Sequence, residues 1–108
     1  LVLSHRDTDH VGGAAALLRG VAVGRLASSL EPAHPLLALA RERGAAVAPC
    51  EAGGRWSWDG VAFEWLHPGP GLLARSGWEK TKANTLSCVL RVEGRWGGRA
   101  QRALLVGD

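Results

Sequence analysis

Long apolar runs are missing from this 108-residue chain: nothing approaches the roughly 18 consecutive apolar residues that cross a bilayer as one helix. Cysteine is scarce. Cys50 and Cys88 are too few and too far apart for a zinc ribbon. Each lies in or beside an apolar run, which predicts buried free thiols rather than a disulfide and leaves the redox compartment open. There is no collagen-like period, low-complexity tract, internal repeat or linker, which excludes fibrous and disordered classes and predicts one domain. No secretory leader is visible, since residue 1 is Leu and the chain opens inside an apolar run. That opening predicts an excerpt, residues 1–108 of a single incomplete domain, so the parent protein's address stays open. A hydrophobic content of 46% against 21% charged residues describes a soluble globular domain. The net charge of +3 gives a mild bias toward anionic partners.

Element signals divide the chain in two. Residues 1–3 end a buried strand, the alanine- and leucine-rich stretch 14–20 predicts a helix, and 21–23 a second strand. A helix is expected from Glu31-Pro32 through Ala40, with Arg41, Glu42 and Arg43 solvated and Gly44 ending it, then a third strand at 45–48. This β-α-β-α-β order favours an α/β sheet with helices packed on it. The second half alternates instead. Residues 55–58 and 61–66 flank Asp59-Gly60, a strong hairpin signal. Residues 67–83 read as an irregular loop, 85–92 as a strand, 93–98 as containing a turn, and 103–106 as a last strand. Trp56, Trp58 and Trp65 alternate with polar residues, so some belong to a core. His34 is expected to be exposed and inert, and Arg91, Arg95, Arg99 and Arg102 to line a solvent face.

Residues 4–13, Ser-His-Arg-Asp-Thr-Asp-His-Val-Gly-Gly, carry the chemistry. His5, Asp7, Asp9 and His10 put four metal-ligand types into six positions directly after an apolar run. In an extended stretch alternate side chains share a face, so His5 and Asp7 suit one ion. Asp9 and His10 turn toward a second as a helix begins. Carboxylates and imidazoles crowded in this way are costly to hold together unless cations compensate them. The plainer role for Thr8 or Asp9 is helix capping. Asp108 closes the last apolar strand after Gly107; alone it is a turn residue, but a two-metal site needs a carboxylate from elsewhere in the chain. Asn84 and Ser87 precede a buried strand, either as turn formers or as polar lining of the site. His67 ends a strand and is read equally as structural or site-facing. Arg75, Lys80 and Lys82 with Trp78 form a basic, aromatic loop suited to a phosphate backbone and a stacked base.

The first motif resembles the His-x-His-x-Asp-His motif of the metallo-β-lactamase superfamily, with Asp7 in place of the second His. Together with Trp58-Asp59-Gly60, Leu66-His67-Pro68, the segment from Ala83-Asn84 through Ser87-Cys88 to Val92, and Leu104-Leu105-Val106-Gly107-Asp108, the chain resembles the C-terminal hydrolase-like domain of the ComEC DNA-uptake channel proteins. The resemblance covers the whole chain. It implies an αβ/βα sandwich, of which this chain is about half, with the metal site at the edge between the sheets. It implies a membrane channel that imports one DNA strand while this domain degrades the other. Carried over by position, His5 and Asp7 match ligands of the first metal, Asp9 and His10 those of the second, and Asp108 the bridging carboxylate. The superfamily's middle His has no counterpart; Asn84 or Ser87 stands near its place. Asp for His exchanges nitrogen for a hard oxygen and shifts preference from Zn²⁺ toward Mn²⁺ or Mg²⁺.

The expectation is therefore a two-metal DNA phosphodiesterase domain, a soluble part of an inner-membrane competence protein, with Asp9 orienting or deprotonating the attacking water. Two alternatives stand beside it. One is a metal-depleted, non-catalytic module that guides DNA; the other is a hydrolase of small esters or lactones on the same fold.

Overall fold

Short apolar runs separated by helix-forming stretches build the first half. The computed structural model describes residues 1–75 and 81–107, the side chains of 73–75 excepted. Strands β1 (Val2–Leu3), β2 (Arg25–Ser28) and β3 (Ala46–Pro49) form a parallel sheet in the order β1-β2-β3. Helices α1 (Thr8–Val11), α2 (Ala14–Gly20) and α3 (Pro35–Glu42) make the crossovers. Leu18 of α2 and Leu37 and Ala40 of α3 bury themselves on Leu3 and Leu26. Successive strand residues point to opposite faces. Ala27, next to Leu26, accordingly packs into a second cluster with Trp65, Leu90, Cys50 and Cys88.

That second cluster belongs to an antiparallel sheet, β4 (Arg55–Trp58), β5 (Val61–His67), β6 (Val89–Trp96) and β7 (Arg99–Val106), in sequence order. The molecule is thus mixed α/β, with two sheets and a few helices. Arg55 and Arg91 both pair with Glu64, and Arg102 Nε lies 3.0 Å from Glu93 Oε1, so this sheet carries its charges on an outer face. Strand β7 is exposed along its whole length, with Leu104, Leu105 and Val106 more than half exposed. Among the described residues no helix is long and apolar enough to cross a membrane.

The hairpin at 59–60 forms as expected, Trp58 facing Val61, with Asp59 at φ 50 and Gly60 at φ 78. A Cβ on Gly60 would meet nothing within 4 Å, so the cost of adding one is backbone strain alone. Gly60→Ala is expected to lower the unfolding free energy by about 1 kcal/mol, read from the urea midpoint at unchanged slope.

Several expectations need correction. The second strand begins at Arg25 instead of 21–23, because Val21 still closes the last turn of α2 through its N–H to the Leu17 carbonyl. Helix α3 starts at Pro35, and His34 is its N-cap, with Nδ1 accepting from Leu36 N at 3.1 Å. His34 is therefore neither exposed nor inert. Arg43 is bound as well as solvated: its guanidinium donates to the Leu18 and Arg19 carbonyls at the end of α2. Residues 67–83 are not wholly irregular, since Pro70 opens a short helix α4 (Pro70–Arg75). Residues 83–86 form a 3₁₀ turn, and the expected strand at 85–92 begins only at Val89 and runs to Trp96. The following turn falls on Gly97 and Gly98, both at positive φ. Of the tryptophans, Trp65 is buried, Trp56 half-buried and stacked on Phe63, and Trp58 mostly exposed.

The largest correction concerns cysteine. Cys50 and Cys88 form a disulfide, Cα atoms 5.7 Å apart, with both residues buried. Burial in an apolar run looks the same for a thiol and a disulfide in sequence; the packing of the sheets brings the two together. Cys50 follows β3 of the first sheet and Cys88 precedes β6 of the second, so the bond stitches the layers. Beside it the seam is loosely filled: a cavity of about 460 Å³ lies between the sheets, lined by Val2, Leu26, Val47, Trp56, Phe63 and Leu90 among others.

Candidate functional site

The site lies where β1 ends. Ser4 leaves the strand, and its carbonyl is gripped from both layers: Ser29 Oγ donates to it at 2.6 Å and Cys88 N at 2.9 Å. With the backbone pinned there, His5 is driven inward and is 1% exposed. The chain then turns outward into α1. Asp7 occupies the N-cap position with no side-chain capping bond, so neither Thr8 nor Asp9 acts as the cap.

The four ligand-type residues fall into two pairs. His5 Nε2 stands 3.5 Å from Asp7 Oδ2, and His10 Nε2 stands 3.5 Å from Asp9 Oδ2. The imidazoles lie against each other with ring centroids 3.8 Å apart. The carboxylates face solvent, with Asp7 52% and Asp9 76% exposed, while the imidazoles face the protein. Each pair thus presents a nitrogen on the inside and an oxygen on the outside.

The Nδ1 atoms are held from behind. Ser4 Oγ lies 3.1 Å from His5 Nδ1 and 3.1 Å from His10 Nδ1, and Ser87 Oγ lies 3.2 Å from His5 Nδ1. Ser87 is buried, and its carbonyl accepts from His67 Nδ1 at 2.8 Å. His67 therefore stands behind Ser87 and supports it. Gly107, at the end of β7, packs on both serines: a Cβ there would come within 2.7 Å of Ser4 Cβ and 2.8 Å of Ser87 Oγ. Arg6, between His5 and Asp7, reaches across to the Thr81 carbonyl at 2.8 Å and ties the loop to the segment leading into the 3₁₀ turn.

Does this donor set suit divalent cations? One observation bears on it directly. His5 Nε2 is buried without a hydrogen-bond partner, one of two such side-chain atoms among the described residues, the other being Trp56 Nε1. An imidazole held at Nδ1 with an orphaned Nε2 next to a carboxylate is what a metal-ligating histidine looks like. Two donors at about 2.1 Å from one ion stand roughly 3.0–3.4 Å apart, close to the spacing within each pair. Among the described residues, however, no three His, Cys, Asp or Glu side chains gather into one group able to hold a metal. The set fits as two nitrogen–oxygen pairs, each needing further ligands.

The remaining sequence candidates scatter. Lys82 and Asn84 are exposed at the 3₁₀ turn, on the segment that Arg6 holds. Ser87 is the exception: it is buried, and its hydroxyl faces His5. Asp108, Lys80 and Trp78, and the side chain of Arg75, lie outside the described residues. Sequence reasoning passed over Ser4 and Arg6. The one signal available for either was its place inside the ligand motif. Comparison with known protein families, with curated proteins and with solved structures yields no match.

Proposed function

We propose that the chain is a metallo-β-lactamase-like domain of the ComEC DNA-uptake type, a metal-dependent phosphodiesterase acting on the DNA strand that is not imported. The observation that carries this reading is the buried His5 Nε2, without a hydrogen-bond partner and 3.5 Å from the Asp7 carboxylate. A helix-on-sheet layer packed against a second sheet, with the ligand loop at the seam between them, supports the sandwich that the resemblance implies.

In this reading His5 and Asp7 hold one divalent ion and His10 and Asp9 the other, with Asp108 supplying a shared carboxylate. Mn²⁺ or Mg²⁺ is favoured because three of these five donor residues are carboxylates. When bound, such ions neutralise the phosphate and acidify a water. The chain's own contribution is positional. The exposed carboxylate of Asp9 orients the attacking water and takes its proton. Lys82, exposed on the segment tied to the loop by Arg6, binds the phosphate backbone, together with Arg75 and Lys80. The buried Cys50–Cys88 bond supports a domain that matures on an oxidising side of its membrane.

The test is cleavage of single- and double-stranded DNA with and without Mn²⁺. Activity that needs the ion and falls at least about 100-fold in Asp9→Ala is expected, the size of a lost general base. Cleavage indifferent to both would sink the reading. One observation favours a second reading, a metal-poor module that guides DNA without cutting it: the described residues supply pairs of ligands and no triad. Uptake near two Mn²⁺ per complete domain would exclude it.

A further inference from the structure

We propose that Ser4 is a positioning residue whose single hydroxyl aligns both imidazoles of the site; its role toward the ions rests on the metal reading above. Four observations converge on it. Its Oγ is 3.1 Å from the Nδ1 of His5 and 3.1 Å from the Nδ1 of His10, the two rings that belong to different His–Asp pairs. Its carbonyl is fixed by donors from both layers, Ser29 Oγ and Cys88 N. Its Cβ is covered by Gly107, which leaves the side chain little room to swing. The rings it joins lie 3.8 Å apart, close enough for one hydroxyl to reach both.

A serine hydroxyl suits this place because it is both donor and acceptor. With two lone pairs and one proton it can accept from two Nδ1–H groups at once. That arrangement leaves Nε2 of each ring as a lone pair turned toward its carboxylate, the state an ion requires. Ser87 duplicates the function for His5 alone, since its Oγ reaches that Nδ1 at 3.2 Å. Ser4 is therefore the residue that couples the two halves of the site, and Ser87 is not.

The experiment uses the metal-free 108-residue chain with ¹⁵N-labelled histidine, read by long-range ¹H–¹⁵N correlation of the rings, alongside Mn²⁺ titration. In the parent chain both Nδ1 atoms are expected to carry hydrogen-bonded shifts. In Ser4→Ala the ring signals of His5 and His10 both move, and Mn²⁺ affinity falls by about 10- to 100-fold, the usual cost of losing an outer-shell partner. In Ser87→Ala only the His5 signals move. The proposal is overturned if Ser4→Ala shifts one ring or neither, or if either Nδ1 in the parent is free of a hydrogen bond, a measurement that needs no variant to fold. A parent chain that takes up no Mn²⁺ while both rings still answer to Ser4→Ala would overturn the metal reading and retain Ser4 as the residue holding the rings.

Discussion

His5→Ala is expected to abolish measurable Mn²⁺ binding at one of the two ions and to reduce DNA cleavage to background. Outer-shell losses cost about 10- to 100-fold in affinity, and removal of the ligand itself costs more. His5 is also the residue with least freedom to be replaced. It is 1% exposed, its Nδ1 is shared by two serines, and its Nε2 has no hydrogen-bond partner, only the Asp7 carboxylate 3.5 Å away. The variant loses a buried ring, so circular dichroism must first show that it folds. Asp7→Asn separates the effects: the amide keeps the shape of an exposed side chain and removes the anionic oxygen. Titration by calorimetry reads the outcome. Full Mn²⁺ uptake by folded His5→Ala would show that the orphaned nitrogen serves no ion.

The second large effect concerns stability. Replacing Cys50 and Cys88 together by alanine is expected to lower the unfolding free energy by about 4 kcal/mol, the loop-closure value for a cross-link of this span. The bond joins residues 38 positions apart. Domains of this size are stable by roughly 5–15 kcal/mol, so much of the margin is at stake. The seam makes the loss harder to absorb, because the cavity beside Trp56 and Phe63 already leaves the sheets incompletely packed there. Urea unfolding of the double variant, and of the parent with and without a dithiol, measures it. A midpoint that is unchanged in the double variant would show that packing alone holds the layers.

How far all this could be read from sequence depended on range. The order of the parallel half was legible because apolar runs at 1–3 and 45–48 have helix formers between them, although its middle strand falls at Arg25–Ser28 and not at 21–23. The Asp59-Gly60 turn was legible because its chemistry is local. The nearness of His5 to Asp7 and of Asp9 to His10 was legible for the same reason. What failed was set by partners far along the chain. Nothing near Ser87 announces that its hydroxyl meets His5, 82 residues earlier. Its neighbour Cys88 donates to the Ser4 carbonyl and bonds to Cys50, and these ties hold 87–88 out of the strand that their apolar surroundings suggest. His34 looked inert because capping depends on where the helix begins, and Pro35 moved that point.

The double grip on the Ser4 carbonyl has a consequence in time as well as in space. The Cys88 amide crosses the seam to reach it, beside the disulfide and one residue from Ser87. Its proton can trade with solvent only when the two layers part locally, and that same parting releases the Ser4 backbone and with it both rings. The protection of this one amide against exchange therefore measures the free energy of opening the site, and a bound ion should raise it.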